Sequence, residues 1–228
     1  MSRIRCGVPA RAAAGAATVL MAVAPLMAAP AGAVARQYDA VSEAAYQTVL
    51  DLEAVKVHRA AVAMAAEPAS AVADAEATYA ADLGVVAGLL SPRTASAPDA
   101  FVAAWTAAGE MRMTVLLSAL AELGVPYRGN TSASGVSFDC SGLTMYAWSQ
   151  VGVSLAHQDG AQIGQSAART WDTALAGDLV EYPGHVMMYL GAGHAVVDAP
   201  HSGAVVRVSE YSGRRSARLG SPLPSVSR

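Results

Sequence analysis

The sequence predicts an α+β protein, and three observations carry that expectation. Apolar residues recur at helical spacing through most of the first 123 residues. Beyond Trp171 the pattern changes to short runs rich in Val, Tyr and Met, separated by Gly or Pro. Between the two lies a polar Gly/Ser loop, 128–137, that runs into a short helix-like stretch opening at Cys140. Helices first and an antiparallel sheet after them define the class. A length of 228 residues suits one ordinary domain plus an appendage. With 54% apolar and 14% charged residues, the chain is too hydrophobic to be disordered. A formal charge of −3 gives no sign of a nucleic-acid partner.

The first element is a targeting segment. Arg3, Arg5 and Arg11 precede an Ala-rich apolar run over 12–29, and small residues then alternate up to Ala33 and Ala35. That is the pattern of a secretory signal peptide spanning 1–35 and cut after one of those two alanines. A retained membrane anchor is the alternative, and no second apolar run is long enough to span a bilayer. The expected location is therefore secreted or extracellular, with no stable membrane insertion after cleavage. Cleavage removes three arginines and no acids, leaving 12 basic and 18 acidic residues. It also removes Cys6, so Cys140 is left as the single cysteine and no internal disulfide can form.

Residues 36–90 read as a helical hairpin. Tyr38, Val41, Ala45, Leu52, Val55 and Val62 form one stripe. Glu67-Pro68-Ala69-Ser70 breaks it, and Val72, Ala75, Tyr79, Leu83, Val86 and Leu90 form the second. Neither stripe carries a cluster of reactive groups, and His58 is expected to be a solvated helix residue. The arm is a spacer, a docking element or a cover that touches the cleft. Residues 91–98 are a linker, and 99–210 form the main domain. There, helices are expected over 99–108, 110–123 and 140–150, and strands over 178–182, 185–190, 195–198 and 205–208. The arginine-rich segment 211–228 is expected as a partly loose basic tail.

Cys140 is the first candidate for chemistry. It stands where a polar loop enters a helix, and the free N–H groups and positive dipole end of a helix N-terminus favour a thiolate. Ser137 or Asp139 can cap that helix. A buried structural cysteine is the plain alternative. A thiol nucleophile needs a base, and His157, His185, His194 and His201 are available. His185 opens a strand after Pro183-Gly184. If the chain reverses near Gly191-Ala192-Gly193, His185 lies within about one rung of Asp198. An acid there can hold the imidazole by its other nitrogen. Asp198 reads equally well as a strand-end turn residue.

These residues resemble the NlpC-type cysteine peptidases, secreted bacterial cell-wall enzymes with a trimmed papain-like fold. The resemblance covers about 113–208. Its pieces are Gly124-Val125-Pro126-Tyr127, Phe138-Asp139-Cys140-Ser141-Gly142-Leu143, Ala176-Gly177-Asp178-Leu179-Val180, His185-Val186 with Tyr189-Leu190-Gly191, and Ala199-Pro200 with Gly203. It implies that Cys140 is the nucleophile, His185 the base and Asp198 the third residue. Tyr127, Asp139 and Ser141 would flank the cleft and bind substrate. It also implies a peptidoglycan stem-peptide partner, cleavage between γ-D-glutamate and the following diamino acid, and no cofactor or metal. The chain departs from the family in the short Arg128-Gly129-Asn130 segment. It also has Leu155-Ala156-His157 where the family often has Leu-Pro. Two rival readings remain: a non-catalytic wall-binding or scaffolding protein that keeps the fold, and amidase or acyl-transfer chemistry on another amide. A metal-dependent wall hydrolase is weak, because neither His-x-His nor His-Glu-x-x-His occurs.

Overall fold

A computed structural model describes residues 39–213 and 216–223. The signal peptide expected over 1–35, its cleavage site and Tyr38 lie outside the described residues. Helix α1 (Ala40–Ala63) starts at Asp39, whose carboxylate caps it by accepting the Val41 N–H at 2.8 Å. Helix α2 (Ala69–Leu90) starts after Pro68. The two pack as a hairpin, with α1 also lying on α4 (Glu110–Leu120) and α2 on α3 (Pro98–Ala108). Val41, Ala45, Val49, Leu52 and Val55 of α1 are buried, as are Leu83, Val86 and Leu90 of α2. Val62, Val72 and Ala75, nearer the tip, are only half-buried. Most of the buried residues of α1 and α2 belong to the same apolar cluster as Leu116, Leu143, Val186 and Val197, so the hairpin shares the core of the rest. Among the described residues its main packing is with α3 and α4. His58 is not simply solvated: its Nδ1 lies 2.6 Å from Glu67 Oε2 across the hairpin turn. No helix among the described residues is long and apolar enough to cross a membrane.

The linker expected over 91–98 is partly ordered as a 3₁₀ turn, Ser91–Arg93, and is pinned by Ala95 N–H donating to Glu210 at 2.8 Å. Helix α4 closes at Leu120, three residues before the expected end, and passes through turns to Gly124. The polar loop holds a small antiparallel pair, β1 (Ser132–Ala133) and β2 (Ser137–Phe138). Helix α5 (Cys140–Ser149) follows directly, then the short α6 (Asp159–Gly164).

The main sheet has six antiparallel strands: β3 (Ala167–Arg169), β4 (Leu179–Tyr182), β5 (His185–Tyr189), β6 (Ala195–Asp198), β7 (Arg207–Glu210) and β8 (Arg218–Ser221). Their spatial order is β3-β8-β4-β5-β6-β7. Two expectations need correction. The strand expected over 205–208 begins later, because Val205 and Val206 pair instead with the 124–126 segment that leads into the loop. The basic tail is not loose throughout: β8 is an interior strand between β3 and β4. A buried ion pair ties the helices to this sheet. Arg112 on α4 donates to Asp178 Oδ1 at 2.7 Å, to the Ala176 carbonyl at 3.0 Å and to Ser221 Oγ at 2.6 Å. A buried charge needs this degree of pairing to be tolerated.

Candidate active site

The loop-to-helix junction is built around one carboxylate. Asp139 is the N-cap of α5 and is only 7% exposed. Its Oδ1 accepts the Gly142 N–H at 2.7 Å and the Ser141 hydroxyl at 3.3 Å, and lies 2.9 Å from His157 Nε2. Its Oδ2 accepts the Asn130 N–H at 2.5 Å. The Asp139 N–H donates to the Thr131 carbonyl at 3.0 Å. This set of bonds folds the loop back over the first turn of α5 and leaves Cys140, partly exposed, as its first residue. Gly142 is required by that close approach: a Cβ there would lie 2.0 Å from the Thr131 carbonyl oxygen. A second buried acid supports the far side of the loop. Glu122 accepts the Ser134 hydroxyl at 2.6 Å and the Gly135 N–H at 2.9 Å.

His185 reaches the thiol from β5. The tight turn at Pro183-Gly184 pairs Tyr182 with His185, and their rings lie 5.3 Å apart. Pairing of Met188 with Val197 and Tyr189 with Val196 then sets Asp198 diagonally across from His185. His185 Nε2 lies 2.8 Å from Asp198 Oδ2, and both side chains are almost fully buried. The Cys140 thiol lies close enough to act on the imidazole electrostatically. Burial pulls the His185 pKa down. The Asp198 hydrogen bond, the interaction with Cys140 and the charges of both partners outweigh it, and push it up from 6.5 to about 9. The imidazole is therefore protonated at neutral pH, bonded to a carboxylate and under the influence of a nearby thiol. Such a row can supply a nucleophile and return a proton to a leaving group.

The other residues expected at the site fall around this row. Tyr127 bridges to Phe138, and its phenol is held above its usual range by burial first, then by the negative charges of Cys140 and Asp139. Ser141 is buried, with its hydroxyl turned to Asp139. His157 is tied to Asp139, whereas His201 is exposed with Nδ1 3.0 Å from the Ser202 carbonyl. His194 is exposed and packs against the Trp171 ring at 4.4 Å. Gln162 on α6 is a supporting residue the sequence reading missed. It is fully buried, donates to the carbonyls of Ser141 and Ala156 at 2.8 Å each, and accepts the Thr144 hydroxyl at 2.6 Å. A glutamine in a six-residue helix gives no sequence signal for that role. Among the described residues no group of three or more His, Cys, Asp or Glu is arranged to hold a metal ion.

Residues 124–218 match the model of the NlpC/P60 family. The chain is 35% identical over 111 residues to the peptidoglycan endopeptidase RipA of Mycolicibacterium smegmatis, covering 42% of this chain and 22% of that protein. To RipA of Mycobacterium tuberculosis it is 33% identical over 111 residues, covering 42% of this chain and 23% of that protein. The match thus spans less than a quarter of the length of these two relatives. Among solved structures, the P60 domain of an antigen from Mycobacterium avium subspecies paratuberculosis is similar at 27% identity with a TM-score of 0.45. That similarity covers 50% of this chain and 96% of that one. The region that carries Cys140, His185 and Asp198 thus matches the NlpC/P60 family.

Proposed function

We propose that the protein is a secreted peptidoglycan hydrolase, a cysteine endopeptidase that cleaves the stem peptide. One observation carries the reading: the His185 ring is bonded to the Asp198 carboxylate at 2.8 Å and is raised in pKa by Cys140 as well as by Asp198. The peptidoglycan endopeptidases similar to this chain supply the substrate class. Cys140 acts as nucleophile, His185 as base and then acid, and Asp198 orients the imidazole. Tyr127, Asp139 and Ser141 shape the substrate side of the cleft, Ser141 by bracing Asp139. The preferred bond joins γ-D-glutamate to the following diamino acid.

The thiolate of Cys140 attacks the carbonyl carbon. The C=O π electrons move to oxygen, where the Cys140 backbone N–H at the start of α5 stabilises the oxyanion. As the C–N bond breaks, His185 gives its proton to the departing nitrogen, leaving a thioester. Neutral His185 then takes a proton from water, the hydroxide displaces Sγ, and the acid product leaves. An imidazole held near 9 is well supplied with that proton at neutral pH.

Digestion of purified muropeptides followed by mass spectrometry tests the reading. A new D-glutamate carboxylate and a free diamino-acid amine are expected, and Cys140→Ala should abolish both. Binding without cleavage by the parent chain would favour the non-catalytic wall-binding alternative. Cleavage that survives Cys140→Ala would rule out the cysteine mechanism.

A further inference from the structure

The Asp198 carboxylate is only half engaged by His185. Oδ2 is bonded to the imidazole at 2.8 Å, whereas Oδ1 is buried and has no hydrogen-bond partner among the described residues. A buried carboxylate oxygen without a hydrogen-bond partner is destabilising. The strand register puts one cation directly opposite. Asp198 of β6 pairs with Arg207 of the edge strand β7, and Arg207 Nε lies 3.7 Å from Asp198 Oδ1. That is ion-pair distance, too long for a hydrogen bond. Both residues line a cavity of about 280 Å³ together with Tyr182, Met187, Ser209 and Tyr211. Glu210, which also lines the cavity, is engaged elsewhere: it accepts the Ala95 N–H. Among the described residues, the ion pair of Arg207 is with Asp198.

We propose that Arg207 is a positioning residue for the thiol chemistry. Its guanidinium holds Oδ1, so that Oδ2 stays aimed at His185 and the imidazole stays aimed at Cys140. The proposal rests on the cysteine-peptidase reading above. It adds a fourth member to the row on the side away from the thiol. The Arg207 side chain is 52% exposed, so the effect is modest, roughly fivefold at most.

A double-mutant cycle in the full chain tests it, read by the rate of Cys140 alkylation with iodoacetamide at pH 7. Arg207→Ala should slow alkylation about three- to fivefold, and Arg207→Lys should restore most of it. In an Asp198→Asn background, Arg207→Ala should change nothing further. Equal losses in both backgrounds would show a general surface-charge effect and overturn the proposal, as would no loss in either. On muropeptide substrate, Arg207→Ala should lower kcat with KM unchanged; a change confined to KM would also overturn it. Alkylation needs no peptidoglycan. If no muropeptide is cleaved even by the parent, the reaction assignment fails while the cycle still decides the role of Arg207.

Discussion

Around Cys140, polar side chains are buried and paired; in the α1–α2 hairpin, long charged side chains face outward in half-exposed ion pairs. Asp139 draws donors from Asn130, Ser141, Gly142 and His157, all within a few residues of the thiol or folded onto it. In the hairpin, Lys56–Glu53 and Arg59–Glu76 are more than a third exposed on both sides, and Arg59 also reaches Glu110. Exposed pairs of that kind add little, so the hairpin is held by the burial of Val41, Leu52, Val86 and Leu90. Two kinds of order follow. Apolar packing tolerates small shifts, because many weak contacts share the load. The loop cannot shift without moving the thiol, because a few directional bonds define where it sits.

The same substitution made in both regions exposes the difference most sharply. Gly142→Ala places a Cβ 2.0 Å from the Thr131 carbonyl and 3.0 Å from Asp139 Oδ1. The first is a backbone atom, so the loop must retreat, and the Asp139 cap and Cys140 move with it. The expected loss is about 100-fold or more in alkylation and cleavage rates. A drop in unfolding free energy of about 2–3 kcal/mol should accompany it. Stopped alkylation assays and thermal unfolding measure the two. Normal reactivity in this variant would show that the loop does not position the thiol.

The next effect belongs to the imidazole. His185 titrates normally near 6.5 and is pushed up to about 9 in the fold, so it binds its proton more tightly folded than unfolded. Its contribution to stability is therefore complete below about 6.5 and is lost as pH rises through 9. Asp198→Asn removes the partner whose hydrogen bond opposes burial. The His185 pKa should fall by about one unit or more, worth about 1.4 kcal/mol per unit. NMR titration of the ring follows the pKa directly. Thermal melts from pH 6 to 10 should show a steeper decline in the parent than in the variant. Parallel curves would break the link between Asp198 and the imidazole.

Much of the row was legible because it depends on local rules. Cys140 was found from a loop running into a helix, and the helix does begin there. His185 and Asp198 were found by counting from the turn at Gly191 to Gly193, and β5 and β6 do pair about that turn. What escaped depends on partners distant in sequence. β8 reads as a Ser/Gly/Arg-rich tail and becomes a strand only because β3 and β4 flank it. At its centre Gly220 lets Ser166 and Ile163 approach to within 2.8 Å of where a Cβ would stand. Val205 and Val206 read as strand residues of the main sheet, yet they are taken by the 124–126 segment. His157 and Asp139 lie 18 residues apart, and nothing in either neighbourhood announces that they meet.

The smallest expected effect lies in the hairpin. Gly84 and Gly88 sit inside α2 on its exposed face, and a Cβ at either position meets nothing within 4 Å. Neither needs the conformational freedom of glycine, so Gly84→Ala removes only the entropy that glycine forfeits in a helix. The variant should gain about 1 kcal/mol, raising Tm by about 2–4 °C, with alkylation and cleavage rates unchanged. An alanine that rescues one region and wrecks the other is explained by clearance alone, 2.0 Å at Gly142 against open space at Gly84. If Gly84→Ala instead altered the reactivity of Cys140, the hairpin would be coupled to the cleft. The apolar core that joins α1 and α2 to α5 would then be the route by which the arm controls the site.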